Sequence, residues 1–191
     1  MITVKKELFH GTPDDERTEK ERLTYEALNK LGIDFYRADH DAAATIEDCK
    51  AVEKVLGSEI CKNLLLCNRQ ETVFYLLLMP GNKPFKTKDI SKQINSARLS
   101  FASAEKMLEL VNITPGSLSV TGLIFDTENK VNLLIDRDLL TGEYLCCHPC
   151  VNTSTLKIKT LDIIEKFIPS TGHTPVYVDL PRYEDEERKE D

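Results

Sequence analysis

The run Cys61-Lys62-Asn63-Leu64-Leu65-Leu66-Cys67 leads through Asn68-Arg69-Gln70-Glu71 into Thr72-Val73-Phe74-Tyr75-Leu76-Leu77-Leu78-Met79. Two apolar runs of strand length around a short polar turn predict a β-hairpin. The near-continuous apolar character of Cys61–Cys67 marks a buried strand. A second hairpin is predicted from Leu118–Phe125 and Lys130–Ile135 around Asp126-Thr127-Glu128-Asn129. Ile33–Arg37, Glu143–Cys147, Thr155–Lys159 and Val176–Asp179 are further strands. Thr12 is the expected N-cap of a first helix, with Pro13 at its first position and Gly32 at its end. Its apolar face is Leu23, Ala27, Leu28 and Leu31. Thr45 is expected to cap a second helix ending at Gly57, Thr87–Asn95 is helical, and Ser103 caps a helix to Leu110. Thr160 caps a last one, Leu161–Ile168. Hairpins interrupted by helices, without regular βαβ alternation, define an α+β fold with a central mixed, largely antiparallel sheet flanked by helices.

The chain has 191 residues, 41% hydrophobic and 30% charged. That is enough for one soluble domain with a real core, expected over residues 1–180, with 1–20 as an arm and 181–191 as an acidic tail. No apolar run approaches the ~20 residues of a membrane span, and the first residues lack a signal-peptide stretch. The expected location is therefore the cytoplasm, with no membrane partner. A net charge of −7 opposes broad, nonspecific nucleic-acid binding but allows a local contact with one RNA end. The charge is uneven: Lys83, Lys86, Lys88 and Lys92 form a basic run, which fits a nucleic-acid contact or a solvated face. Six cysteines without a targeting segment are expected as thiols. Cys147 and Cys150 have C-x-x-C spacing, but no second such pair exists and His10, His40 and His173 are scattered. No metal and no cofactor are expected.

Phosphate-binding glycine loops, H-E-x-x-H and G-x-S-x-G are all absent. Lys62 is unusual because it lies in a strand that should be buried, where an ammonium must snorkel, pair or face a pocket. Pro149 restricts His148 to extended backbone, which limits where its ring points. The stretch Cys147-His148-Pro149-Cys150-Val151-Asn152-Thr153-Ser154-Thr155 follows a short apolar segment and concentrates a histidine, a proline turn, an amide and three hydroxyls at its end. Gly116-Ser117 opens a turn that can expose backbone N–H groups.

Lys62-Asn63-Leu64, Arg98-Leu99-Ser100-Phe101, Thr114-Pro115-Gly116-Ser117 and His148-Pro149 with Val151-Asn152-Thr153 occur in an order and spacing that resembles the YbaK/prolyl-tRNA editing family. Within it the chain looks most like the freestanding alanyl-tRNA(Pro) deacylases, the ProXp-ala or PrdX branch. The likeness runs from about Leu23 to Leu180. It implies hydrolysis of mischarged Ala-tRNA(Pro), helped by a ribose hydroxyl of the substrate, with proline excluded by size. It implies the 3′ acceptor end of tRNA(Pro) as partner, and raises prolyl-tRNA synthetase as a second. Lys62 matches the family lysine that serves the terminal nucleotide, and His148 the pocket histidine that orients the aminoacyl group. Gly116 matches the first glycine of a G-x-x-x-P loop, in which Val120 replaces proline. Asn63, Ser100, Phe101, Ser117, Asn152 and Thr153 are the remaining substrate-binding candidates. Two other functions stay open: removal of cysteine from the same tRNA, and a non-catalytic module that senses aminoacyl-tRNA or an amino acid.

Overall fold

The computed structural model describes residues 2–43 and 46–183. In chain order its elements are β1 (Phe9–His10), α1 (Glu19–Lys30), β2 (Phe35–Asp39), α2 (Ile46–Leu56), β3 (Lys62–Cys67), β4 (Phe74–Met79), α3 (Thr87–Ser91), β5 (Ser100–Phe101), α4 (Ala104–Val111), β6 (Val131–Asp136), β7 (Tyr144–Cys147), β8 (Ser154–Lys159), α5 (Thr160–Asp162), α6 (Ile168–Ser170) and β9 (Val176–Val178). The α+β class with mixed, largely antiparallel pairing is present, and the strands divide between two sheets. One has the order β1-β2-β8-β7, antiparallel throughout; the other is β5-β3-β4-β6-β9.

The hairpin of β3 and β4 forms in the register Lys62↔Met79 to Cys67↔Phe74. Side chains alternate across it. Leu65, Cys67, Leu76, Leu78, Leu133 and Ile135 face the larger core, while Leu66, Leu77 and Leu134 face a second one closed by Ile90, Leu99 and Leu180. Burial on both faces is why these strands are apolar without interruption. The other sheet turns Phe35, Leu145, Cys147, Leu156 and Ile158 to the larger core. Its reverse face sets Ala38 and Cys146 against Val52 and Leu56 of α2.

The sheets meet where the Cys61 N–H donates to the Cys146 carbonyl at 3.0 Å, beside a parallel bridge between Ile60 and Cys146. The start of β3 and the end of β7 therefore emerge together, bringing Lys62 and Asn63 to the side of His148.

Several local expectations are corrected. The first helix starts at Glu19 with Thr18, not Thr12, as N-cap. Thr18 accepts from the Glu21 N–H and the Glu21 carboxylate accepts from the Thr18 N–H, a closed capping box that Thr12 cannot form. The Thr45 cap and the tail from residue 184 lie outside the described residues. The helix from Thr87 ends at Ser91. Leu118–Phe125 is not a strand. Ser119 accepts from the Thr121 N–H and starts a 3-10 helix, Val120–Phe125. That turn presses Gly122 so close to Val111 and Ile113 that a Cβ there would lie 2.5 Å from Ile113 Cδ1. Val131–Asp136, having lost its expected hairpin partner, pairs parallel with β4 and β9. The last helix continues past Ile168, through a π turn at Ile163–Phe167, to Ser170. No helix of the described residues is long and apolar enough to cross a membrane.

Candidate active site

A cavity of about 490 Å³ opens at the junction of the sheets. Leu64, Leu65, Phe101, Met107 and Leu118 give it apolar walls, and Lys62, Asn63, Gly116 and His148 supply polar groups. An apolar cleft with a few convergent polar groups is the usual form of a small-ligand site.

Lys62 is half-buried and donates from Nζ to the Lys83 carbonyl at 2.9 Å. Lys83 is itself buried, its Nζ 2.6 Å from Asp136 Oδ2 and 3.1 Å from Asp138 Oδ2. These carboxylates anchor the loop between β4 and α3, and that loop holds Lys62 at the cavity edge. The Asn63 amide nitrogen lies 3.3 Å from both the Cys61 carbonyl and Cys61 Sγ, and Asn63 Oδ1 is buried without a partner. An acceptor left unpaired in a binding cleft costs free energy until a ligand donor meets it.

His148 is the second anchor. Its Nδ1 lies 2.9 Å from the Ser154 carbonyl. A carbonyl can only accept, so Nδ1 carries the proton and Nε2 keeps its lone pair. Thr155 Oγ1 lies 3.3 Å from the same Nδ1 and 2.9 Å from His40 Nε2. His40 Nδ1 in turn lies 2.7 Å from the Asp41 carbonyl, so His40 Nε2 accepts from the Thr155 hydroxyl. A neutral chain thus runs from Asp41 through His40 and Thr155 to His148. Burial, with a contribution from His40, pushes His148 down to about 4, and burial lowers His40 as well. Both rings are neutral at pH 7. The His148 carbonyl is fixed from below by the Thr121 hydroxyl at 2.7 Å.

Gly116 takes a φ of +85°, a conformation that favours glycine. The Ser117 N–H is already donated to the Thr114 carbonyl at 3.1 Å, whereas the Gly116 N–H meets no backbone acceptor among the described residues. The Asn152 amide nitrogen lies 3.5 Å from where a Gly116 Cβ would stand, which supports the turn from behind.

Of the residues singled out in the sequence, Lys62, Asn63, Phe101, Gly116 and His148 share the cavity. Ser117, Asn152 and Thr153 line a separate recess beside α1. Ser100 is exposed on β5, next to Phe101 but on the opposite strand face. His40 was not foreseen as a partner of the site, and Thr155 was foreseen only as one hydroxyl of the polar stretch after Cys147, not as a partner of His148. The signal was the polar Asp39-His40-Asp41 at a strand end, which resembles any surface turn. Cys61 also lines the cavity, but burial pushes its thiol up to about 12. It stays protonated at neutral pH and packs as a small apolar group. Burial also raises the other five thiols, Cys146 to about 11.

Two layers of evidence define the class: an α+β scaffold with a cleft at a sheet junction, and a sequence pattern that matches along it. Residues 40–166 match the aminoacyl-tRNA editing domain, and the chain belongs to that family. It is 30% identical over 166 residues to prolyl-tRNA synthetase associated domain-containing protein 1 of Danio rerio, covering 86% of this chain and 87% of the relative. It is 27% identical over 153 residues to the prolyl-tRNA editing protein ProX of Acetoanaerobium sticklandii, covering 80% and 93%. A solved structure described as a candidate trans-editing enzyme for prolyl-tRNA synthetase superposes with a TM-score of 0.64 at 16% identity, over 87% of this chain and all of that one. That likeness establishes the shared fold.

Proposed function

We propose that this chain is a trans-editing hydrolase that removes alanine from mischarged Ala-tRNA(Pro). The observation that carries the reading is the convergence of Lys62, the His148 ring and the Gly116 turn on one cleft in a chain of the editing family.

An aminoacyl ester is already activated, so hydrolysis needs placement and oxyanion stabilisation more than a strong nucleophile. In this reading the Lys62 ammonium meets the phosphate of the terminal nucleotide. The His148 Nε2 lone pair accepts from the α-ammonium of the amino acid and aims the ester. The Gly116 N–H donates to the carbonyl oxygen as negative charge grows there. Water adds to the carbonyl carbon and gives a proton to the adjacent ribose hydroxyl, which passes its own to the leaving ribose oxygen as the ester bond breaks. The protonated Cys61 takes no part.

The apolar walls supply selection. A synthetase pocket built for proline rejects smaller alanine weakly, since a methylene is worth only ~1–3 kcal/mol. A second, tighter pocket that admits alanine and excludes the pyrrolidine ring completes a double sieve.

The test is deacylation of Ala-, Cys- and Pro-charged tRNA(Pro) by the wild type and Lys62→Ala. Lys62-dependent loss of alanine alone is the expected result. Loss of cysteine instead would assign the chain to cysteine removal. Binding without turnover of any of the three would assign it to a sensing module.

A further inference from the structure

Deacylation as described leaves part of the basic run unused. Lys83 is absorbed by its ion pairs, but Lys86, Lys88 and Lys92 are exposed and, with Arg98, line a groove of about 680 Å³. Among the described residues, Lys88, Lys92 and Arg98 make no ion pair. Lys86 lies over the Tyr183 ring at 3.8 Å, and the nearby Asp89 is occupied by the Tyr183 hydroxyl at 2.6 Å. Among the described residues the groove thus sets four cations beside the single carboxylate of Asp89, on a protein whose net charge is −7.

Two aromatic rings share this lane. Phe85 and Phe101 also line it, edge to face with ring centroids 6.2 Å apart. Phe101 is 62% exposed and lines the cavity as well as the groove. A large apolar ring left in water between a cleft and a cationic lane is placed to stack a base. The substrate is a polymer, and only its end fits a cleft of this size. The rest must leave over an edge, and the edge at Phe101 opens onto the groove that Lys86, Lys88, Lys92 and Arg98 line.

We infer that this groove carries the sugar-phosphate backbone of the tRNA acceptor end, with Phe101 stacking a base as the strand passes into the cavity. The inference rests on the deacylase reading of the cavity. Lys86, Lys88, Lys92 and Arg98 contact phosphates and read no sequence; their effect is on affinity and its dependence on salt.

The experiment compares two substrates, full-length Ala-tRNA(Pro) and 3′-alanyl-adenosine, with wild type, Lys88→Ala/Lys92→Ala/Arg98→Ala, and the charge-keeping Lys88→Arg/Lys92→Arg/Arg98→Lys. The alanine triple variant should raise KM for the tRNA about tenfold or more, with kcat little changed, and flatten the plot of log affinity against log salt by about two units, as loss of three single-strand phosphate contacts requires. Its kcat/KM on alanyl-adenosine should stay within about twofold, and the charge-keeping variant should recover most of the tRNA affinity. An unchanged tRNA KM and salt slope, with both substrates hydrolysed, overturns the groove and leaves the deacylase reading standing. Failure of the wild type on both substrates overturns the deacylase reading and the groove with it.

Discussion

On one side of the cavity Lys62 rests on the carbonyl of Lys83, whose ammonium is buried between Asp136 and Asp138. In another part of the cavity lining His148 is held by the Ser154 carbonyl and Thr155, with neutral His40 behind them. The lysine wall is organised by full charges and the histidine wall by dipoles. A buried ion pair is costly to break from one side, because the remaining charge loses its partner in a medium that solvates it poorly. A chain of neutral hydrogen bonds loses about 1 kcal/mol per link. The two walls should therefore fail differently.

The largest effect is expected from Lys83→Ala, which strands the fully buried Asp136. It should cost about 3–5 kcal/mol in urea unfolding. Pairing it with Asp136→Asn should recover part of that loss, whereas equal loss in both would show that packing and not charge holds this wall. The histidine wall should show itself through pH. His148 is held down at about 4 in the folded protein and titrates near 6.5 when unfolded, so the unfolded state binds the extra proton. Stability should be complete above pH 6.5 and fall by at most about 3 kcal/mol as the pH drops to 4. His148→Asn should remove most of that slope, and His40 accounts for a remainder of the same sign. An unchanged slope would place the titration elsewhere.

Lys62→Ala should lower single-turnover deacylation by about 100-fold, or roughly 2.7 kcal/mol, while leaving the urea midpoint nearly intact. Near-normal turnover would remove Lys62 from its role. Thr155→Val cuts the link between the two histidines and should lower kcat about fivefold, close to the ~1 kcal/mol of one hydrogen bond. If only KM moved, Thr155 would be a packing residue and not a positioning one.

The two walls were also unequally visible in the sequence. Lys62 stood out because an ammonium inside an apolar strand must have a reason to be there. His148 stood out because proline follows it at a strand end. Their supports were hidden. Lys83 sat in a run of lysines with the composition of a surface, and only the parallel placement of β6 beside β4 brings Asp136 to it. That pairing could not be seen, because Leu118–Phe125 has the apolar content of a strand and offered β6 a nearer partner. What bends it into a 3-10 helix is the Ser119 cap and the close approach of Gly122 to Ile113, a long-range contact with no local signature. Thr12 and Thr18 are both plausible caps by residue type, and Glu21 decides between them. The β3–β4 hairpin was legible to within two residues at its strand ends, because two apolar runs of strand length flank a short polar turn.

Five of the six thiols are buried, and even the half-buried Cys49 is shifted upward by burial and its acidic neighbours. Peroxides and alkylating agents attack the thiolate and need access to it. A cleft that carries Cys61 and Cys49 in its lining is therefore chemically quiet, and the protein should keep its shape and its pocket under oxidising conditions that disable enzymes with an activated cysteine.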